Sequence, residues 1–275
     1  MASTHPTRES IGGDATGTVR IRFYAELNDL LPPQWRGRDV DHAFASGQTV
    51  KDLVEAMGVP HTEIDLVLVD GSSVAFGHQL SDGERVSVYP VFEALDITPV
   101  SQVRPRPLRT TRFVADVHLG RLARYLRILG FDTLYHKEWN DTDLADRATQ
   151  ERRILLTRDR GLLKRAAVDH GYLVRRTEPR GQLAEVVERF DLARSLRPFT
   201  RCPVCNGLVE PVKKAEVLPR LPPLTAQHYR EFWRCPQCGR LYWKGGHYRS
   251  LEGLVSSAGN ASDPGNASSV AREGE

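Results

Sequence analysis

Val19-Arg20-Ile21-Arg22-Phe23-Tyr24 alternates apolar and polar side chains with period two, the pattern of a half-buried strand. A second strand is expected over 39–44, after Pro32-Pro33. Thr49 then caps a helix over 50–57, with Asp52 in its first turn and Gly58 as its stop. Leu66-Val67-Leu68-Val69 reads as a buried strand ending in an Asp70-Gly71 turn, and Arg85-Val86-Ser87-Val88-Tyr89 alternates again after Ser81-Asp82-Gly83. Strand, strand, helix and further strands make an α+β arrangement with one helix on a mixed sheet.

The rhythm changes after residue 110. Phe113-Val114-Ala115 is a short apolar run ending on Asp116, and a helix is expected over 119–129. Leu122, Tyr125, Leu126 and Leu129 recur there at three and four, leaving Arg121, Arg124 and Arg127 mostly elsewhere on the helix. Gly130 stops it, and Phe131 to Tyr135 opens a second strand. Asp141 or Asp143 caps the next helix. Ile154-Leu155-Leu156-Thr157 is a third strand, 162–168 a helix and Leu173-Val174 a fourth strand. Strands alternating with helices imply a parallel sheet covered on its faces.

The flanking segments lack such patterns. Residues 1–17 and 253–275 are rich in small polar residues and are expected to be disordered. Three prolines and two arginines between Pro99 and Pro107 read as a stiff basic linker, taken as 96–110. No apolar run approaches membrane length, and Met1 to Pro6 has no signal-peptide pattern, so a cytoplasmic protein without membrane association is expected.

Charge divides the chain. Residues 18–92 carry 6 basic and 11 acidic side chains, a net of −5. Residues 104–189 carry 19 against 12 (net +7), and residues 201–252 carry 9 against 4 (net +5). The basic part suits a polyanion.

Four carboxylates are the candidate catalytic residues. Asp116 and Asp159 each fall just past a strand end, where open α/β sheets gather their sites, and Asp141 and Asp143 fall at a helix start. Carboxylates converging there repel one another unless a divalent cation neutralises them. Hard oxygen ligands with positions left for water and phosphate suit Mg²⁺ or Mn²⁺. Such a cation activates water for phosphodiester cleavage. Each Asp taken alone reads first as an ordinary cap or turn residue, a reading much weaker for all of them together. Arg121, Arg124, Arg158, Arg160 and Lys164 flank the proposed centre as candidate RNA-phosphate ligands. His118 is the one histidine near it.

The cysteines form two knuckles, Cys202-Pro203-Val204-Cys205 and Cys235-Pro236-Gln237-Cys238, with 29 residues between the pairs. Two knuckles complete a tetrahedral four-cysteine site, expected to hold a structural zinc, with a loop near 218–224 in the spacer. Tyr229, Phe232, Trp233, Tyr242, Trp243 and Tyr248 crowd this module, to pack it or to stack bases.

Two resemblances follow. The words Thr49-Val50-Lys51-Asp52-Leu53, Leu68-Val69-Asp70-Gly71 and Leu80-x-Asp82-Gly83-x-Arg85-Val86 resemble the ubiquitin-like β-grasp sulfur carriers of thiamine and molybdopterin synthesis. Those carriers end in a Gly-Gly carboxylate. Here the place reads Tyr89-Pro90-Val91-Phe92-Glu93-Ala94 and the chain continues, which excludes sulfur carriage. A docking or regulatory element with a possible protein partner is left, or a domain kept for stability.

Phe113-Val114-Ala115-Asp116-x-x-Leu119-Gly120-Arg121-Leu122-Ala123-Arg124 and Arg153-Ile154-Leu155-Leu156-Thr157-Arg158-Asp159-Arg160 resemble the bacterial Mut-seven C-terminal RNase domains, which are PIN-like metal-dependent ribonucleases. The resemblance runs from about residue 112 to 251 and extends to the order of domains. It implies metal-binding carboxylates at Asp116, Asp159 and the Asp141/Asp143 pair.

The expected architecture is multi-domain, α+β and α/β. It comprises a β-grasp domain (18–95), a PIN-like parallel-sheet domain (111–198) and a zinc ribbon (199–252). The expected activity is a metal-dependent endoribonuclease in which Mg²⁺ or Mn²⁺ supplies hydroxide and the basic side chains hold RNA. A catalytically inactive RNA-binding adaptor is the alternative, and a DNA-directed nuclease a third, since nothing in the sequence identifies a reader of the 2′-hydroxyl.

Overall fold

The period-two segment forms strand β1 (Ala15–Phe23), which pairs antiparallel with β2 (Val40–Ala45) in the computed structural model, described for residues 15–90, 101–103 and 111–259. Helix α1 (Val50–Ala56) follows, then β3 (Ile64–Val69), β4 (Ser72–Ser73) and β5 (Arg85–Pro90). The strand order is β2-β1-β5-β3-β4, with β1 and β5 parallel at the centre. Val19, Ile21 and Phe23 of β1 and Val86 and Val88 of β5 are buried, as are Val50, Leu53 and Val54 of α1. A capping box between Thr49 and Asp52 starts α1. Asp70 and Gly71 both adopt positive φ (47° and 83°), the turn that joins twisted antiparallel strands most directly. This is a β-grasp domain.

Contacts divide the chain into two units, 1–107 and 108–275. The second opens with β6 (Phe113–Ala115), a short 3-10 turn and α2 (Gly120–Ile128), then β7 (Thr133–Leu134) and α3 (Asp141–Gln150). β8 (Ile154–Thr157), α4 (Arg160–Leu163), β9 (Gly171–Leu173) and α5 (Pro179–Arg189) complete a sheet of order β7-β6-β8-β9, every pairing parallel. Phe113, Val114 and Ala115 are all buried, as befits a central strand covered on both faces. α2 ends at Gly130 (φ +97°), where a Cβ would run into the Arg197 carbonyl, so glycine is required twice over.

The cysteine module belongs to the same unit. It contains β10 (Glu210–Val212), α6 (Lys214–Val217), α7 (Pro223–His228), β11 (Phe232–Arg234) and β12 (Leu241–Tyr242), with the sheet order β10-β11-β12. The expected loop near 218–224 is thus largely helical, and Val217, Leu221 and Phe232 form its small core. Tyr229 and Trp243 pack on that core.

Several expectations are corrected. Strand β1 begins at Ala15, inside the segment expected to be disordered, because Ala15 pairs with Ala45. Helix α8 (Gly246–Gly259) runs past residue 253, where the tail was expected to begin, and buries Leu254 and Ala258 in the core of the parallel-sheet domain. Within the linker, Ser101 donates to the Asp65 carbonyl and Gln102 to the Ser73 carbonyl of the first unit. The helix expected over 162–168 stops at Leu163, because the chain must bury Val168 and re-enter the sheet at Gly171. The remainder of the expected tail, the first 14 residues, and 96–100 and 104–110 of the linker lie outside the described residues.

Candidate active site and metal centre

Parallel strands bring their carboxyl ends to one edge. β6 ends at Asp116, whose N–H still donates to the Leu156 carbonyl of β8 at 3.0 Å. The Asp116 side chain is buried, and its Oδ2 accepts a 2.6 Å hydrogen bond from Thr157 Oγ1. Thr157, fully buried at the end of β8, accepts in turn from the Asp159 N–H at 3.0 Å. The exposed Asp159 then caps α4, its Oδ1 accepting from the Gly161 N–H at 2.7 Å. A single hydroxyl therefore fixes one carboxylate directly and the backbone of the other. Thr157 was not among the residues expected to act, although the Thr157-Arg158-Asp159 word carried the signal.

The other pair of candidates sits at the start of α3. Asn140 is the N-cap there, not Asp141 or Asp143: its Oδ1 accepts from the Thr142 and Asp143 N–H groups at 2.9 and 3.0 Å. Asp143 Oδ2 accepts from the Asn140 N–H at 3.1 Å, completing a capping box. Asp141 is exposed and lies 3.7 Å from Arg165 Nη2. Arg121, Arg124, Arg158 and Arg160 are exposed, and Lys164 is half-buried. His118 is exposed in the turn after Asp116.

The four cysteines do converge. All are free, and their sulfur atoms lie within 4.8 Å of one another, with Cys202–Cys238 at 3.7 Å and Cys205–Cys235 at 3.4 Å. Tetrahedral zinc with bonds near 2.3 Å places its sulfurs about 3.8 Å apart, so the set fits such an ion. The knuckles repeat one geometry: Asn206 N–H bonds the Cys202 carbonyl, Gly239 N–H bonds the Cys235 carbonyl, and both residues have φ +71°. Without a cation the thiols cannot ionise together. Burial pushes Cys205 up to about 12, whereas hydrogen bonds from Tyr242 and the knuckle backbone outweigh burial at Cys202 and bring it to about 7. Among the described residues this is the one group of three or more His, Cys, Asp or Glu side chains gathered closely enough to hold a metal.

The first knuckle is bolted to the parallel-sheet domain, which the sequence did not announce. Arg127 is buried, and its guanidinium donates to the Val204, Pro203 and Thr133 carbonyls at 2.8, 3.3 and 2.8 Å. Its expected place away from the buried face fails because it follows buried Ala123 by four residues. Asn206 Oδ1 accepts from the Thr133 N–H of edge strand β7 at 3.0 Å, and its Nδ2 donates to Asp132 Oδ1 at 2.8 Å. Asp132 Oδ1 also accepts from Arg153 at 2.7 Å, and its Oδ2 lies 3.5 Å from Arg201. Burial pushes the Asp132 carboxyl up, but these bonds and charges outweigh it and hold it below the ordinary range. A closed four-thiolate site with a divalent ion carries two negative charges, and the Arg127 cation beside it offsets part of them.

The Mut7-C RNAse domain family model matches residues 111–255, and the Mut7-C ubiquitin model matches residues 16–96. No curated protein matches the chain. Among solved structures, SAMP1 from Haloferax volcanii is similar at 19% identity over 29% of this chain and 100% of its own, with a TM-score of 0.24. A putative molybdopterin converting factor, subunit 1, from Pyrococcus furiosus is similar at 19% identity over 28% of this chain and 100% of its own, with a TM-score of 0.23. No helix among the described residues is long and apolar enough to cross a membrane.

Proposed function

This chain belongs to the Mut7-C RNAse domain family, and from that premise we propose that it is a PIN-like, metal-dependent endoribonuclease acting at the carboxyl edge of its parallel sheet. The observation that carries the reading is the Asp116–Thr157–Asp159 chain, two carboxylates held at the ends of neighbouring strands. One oxygen of each is engaged, Asp116 Oδ2 by Thr157 and Asp159 Oδ1 by Gly161, and each keeps a second. Mg²⁺ commonly takes only one or two carboxylates and fills its shell with water and substrate phosphate, so this donor set fits Mg²⁺ or Mn²⁺. When bound, such a cation supplies an acidified water and charge stabilisation at the phosphate.

The chain's own residues divide the remaining work. Asp116 and Asp159 hold the cation, and Thr157 keeps Asp116 in one rotamer. Asp141 is a third ligand candidate through its exposed carboxylate, and Asp143 offers only the oxygen its capping box leaves. Arg121, Arg124, Arg158, Arg160 and Lys164 supply phosphate contacts. The four cysteines hold a structural zinc. The β-grasp domain, matched as Mut7-C ubiquitin, is a docking element for a protein partner.

The alternative is an RNA-binding adaptor without catalysis. It is favoured by one observation: among the described residues no three carboxylates gather as the cysteines do. Labelled RNA and DNA incubated with Mn²⁺ or Mg²⁺ separate the readings. RNA cleavage lost in Asp116→Asn, with melting unchanged, is expected; RNA binding without cleavage in either metal would establish the adaptor, and DNA cleavage alone would move the substrate.

A further inference from the structure

The carboxyl edge carries more than acids. β7 is the edge strand beside β6, and the loop that leaves it holds Tyr135, His136 and Trp139 before α3 begins. This loop is pinned at both ends. Tyr135 OH donates to the Val117 carbonyl at 3.2 Å, one residue past Asp116, and its ring fills the space a Cβ on Gly120 would need. The far end is fixed by the Asn140–Asp143 capping box. Between them, half-buried Trp139 lies with the Arg147 guanidinium 4.2 Å from its ring centroid, and Glu151 holds Arg147 from the next turn at 3.6 Å. The exposed His136 ring sits 5.7 Å from the indole, tilted by 37°.

We propose that Trp139, braced by Arg147 and flanked by His136, is a base-stacking platform that receives an unpaired nucleotide next to the phosphate at Asp116. The inference rests on the nuclease reading for the location of that phosphate. Adjacent strands are about 4.8 Å apart, and the Tyr135–Val117 hydrogen bond ties the start of the β7 loop to the residue after Asp116. The edge then has a direction: His136 and Trp139 in the loop after β7, Asp116 after β6, and Asp159 with Arg158 and Arg160 on either side of it after β8. A strand laid along it places one base on the indole and its phosphates toward the carboxylates and arginines. A base can stack this way only when it is out of a duplex, so the strand received is single, and its being RNA comes from the nuclease reading. The brace matters because an indole already oriented loses little freedom when a base arrives.

The test measures binding by the full-length chain, without added Mg²⁺ or Mn²⁺, to a fluorescein-labelled single-stranded RNA octamer, the same octamer with abasic sites, and a blunt RNA duplex of the octamer with its complement. Trp139→Leu should weaken octamer binding about tenfold, and Trp139→Phe should restore most of it. The abasic octamer should bind wild type and Trp139→Leu alike, and the blunt duplex should bind more weakly than the octamer. Octamer affinity undiminished in Trp139→Leu, or an equal loss for the abasic strand, would overturn the platform. Loss of octamer binding in Trp139→Leu, in a protein that cleaves RNA in neither Mn²⁺ nor Mg²⁺, would keep the platform and end the nuclease reading. RNA cleavage with unchanged octamer binding by Trp139→Leu would do the reverse.

Discussion

Thr157 Oγ1 donates to Asp116 Oδ2 at 2.6 Å, joining residues 41 apart in sequence across the ends of two parallel strands. The hydroxyl has one proton, given to Asp116, and its lone pair receives the Asp159 N–H. Thr157→Val keeps the shape and removes both functions, leaving a buried carboxylate oxygen without its donor. A stability loss of about 1–3 kcal/mol is expected, together with a fall in cleavage of about a hundredfold as Asp116 loses its fixed orientation. Thr157→Ser should recover most of the rate. Turnover at rising Mn²⁺ concentrations distinguishes this from simple unfolding, since Thr157→Val should need more metal for half-maximal activity.

The contact between Asn206 and strand β7 predicts how metal loss is felt. A zinc ribbon that only hangs on the end of a domain would melt alone. Here Arg127 and Asn206 tie the first knuckle to Thr133 and Asp132, so the knuckle completes an edge of the sheet. Stripping zinc with a chelator should lower the melting temperature of the whole second unit, seen as hydrogen exchange rising in β7 as well as around the cysteines. Arg127→Met, which strands three carbonyls, should cost on the order of 3 kcal/mol even with zinc bound.

Asp132 gives a pH dependence with a definite sign. Its folded pKa is lowered, so its stabilisation is present above the unfolded value of about 3.9 and is lost as pH falls through the lower folded value. Arg153, Arg201 and Asn206 face this carboxylate and do not titrate in that range. Denaturant titrations from pH 5 down to pH 2 should show Asp132→Asn less stable than wild type at pH 5, with a shallower acid slope. Parallel acid limbs would contradict the assignment.

How much of this could be read from the sequence depended on whether the cause was local. The Asp70-Gly71 turn, the Thr49 cap and the two cysteine knuckles are set by residues within a few positions of one another, and each appears as expected. Asp116 and Asp159 were legible as strand-end carboxylates because apolar runs mark strand ends. Thr157 as their link was not, since its partner lies across the sheet. Arg127 and Asn206 were hidden for the same reason: a buried arginine looks like a surface one until the carbonyls it serves are placed beside it. Asn206 also occupies a positive-φ position where Gly239 serves in the other knuckle, and its side chain explains the difference. Helix α8 was missed because its apolar residues are sparse, with Leu254 and Ala258 finding their core in a distant part of the chain.

The central claim is that Asp116 and Asp159 act together on an RNA phosphate, and single-turnover cleavage of labelled RNA in Mn²⁺ by wild type, both Asn variants and the double variant tests it most directly. Each single substitution is expected to reduce the rate by at least about a hundredfold, and the double variant should be no slower than the worse single, because groups that act as a unit are not additive. Wild-type rates in either single variant, with both proteins folded, would contradict it.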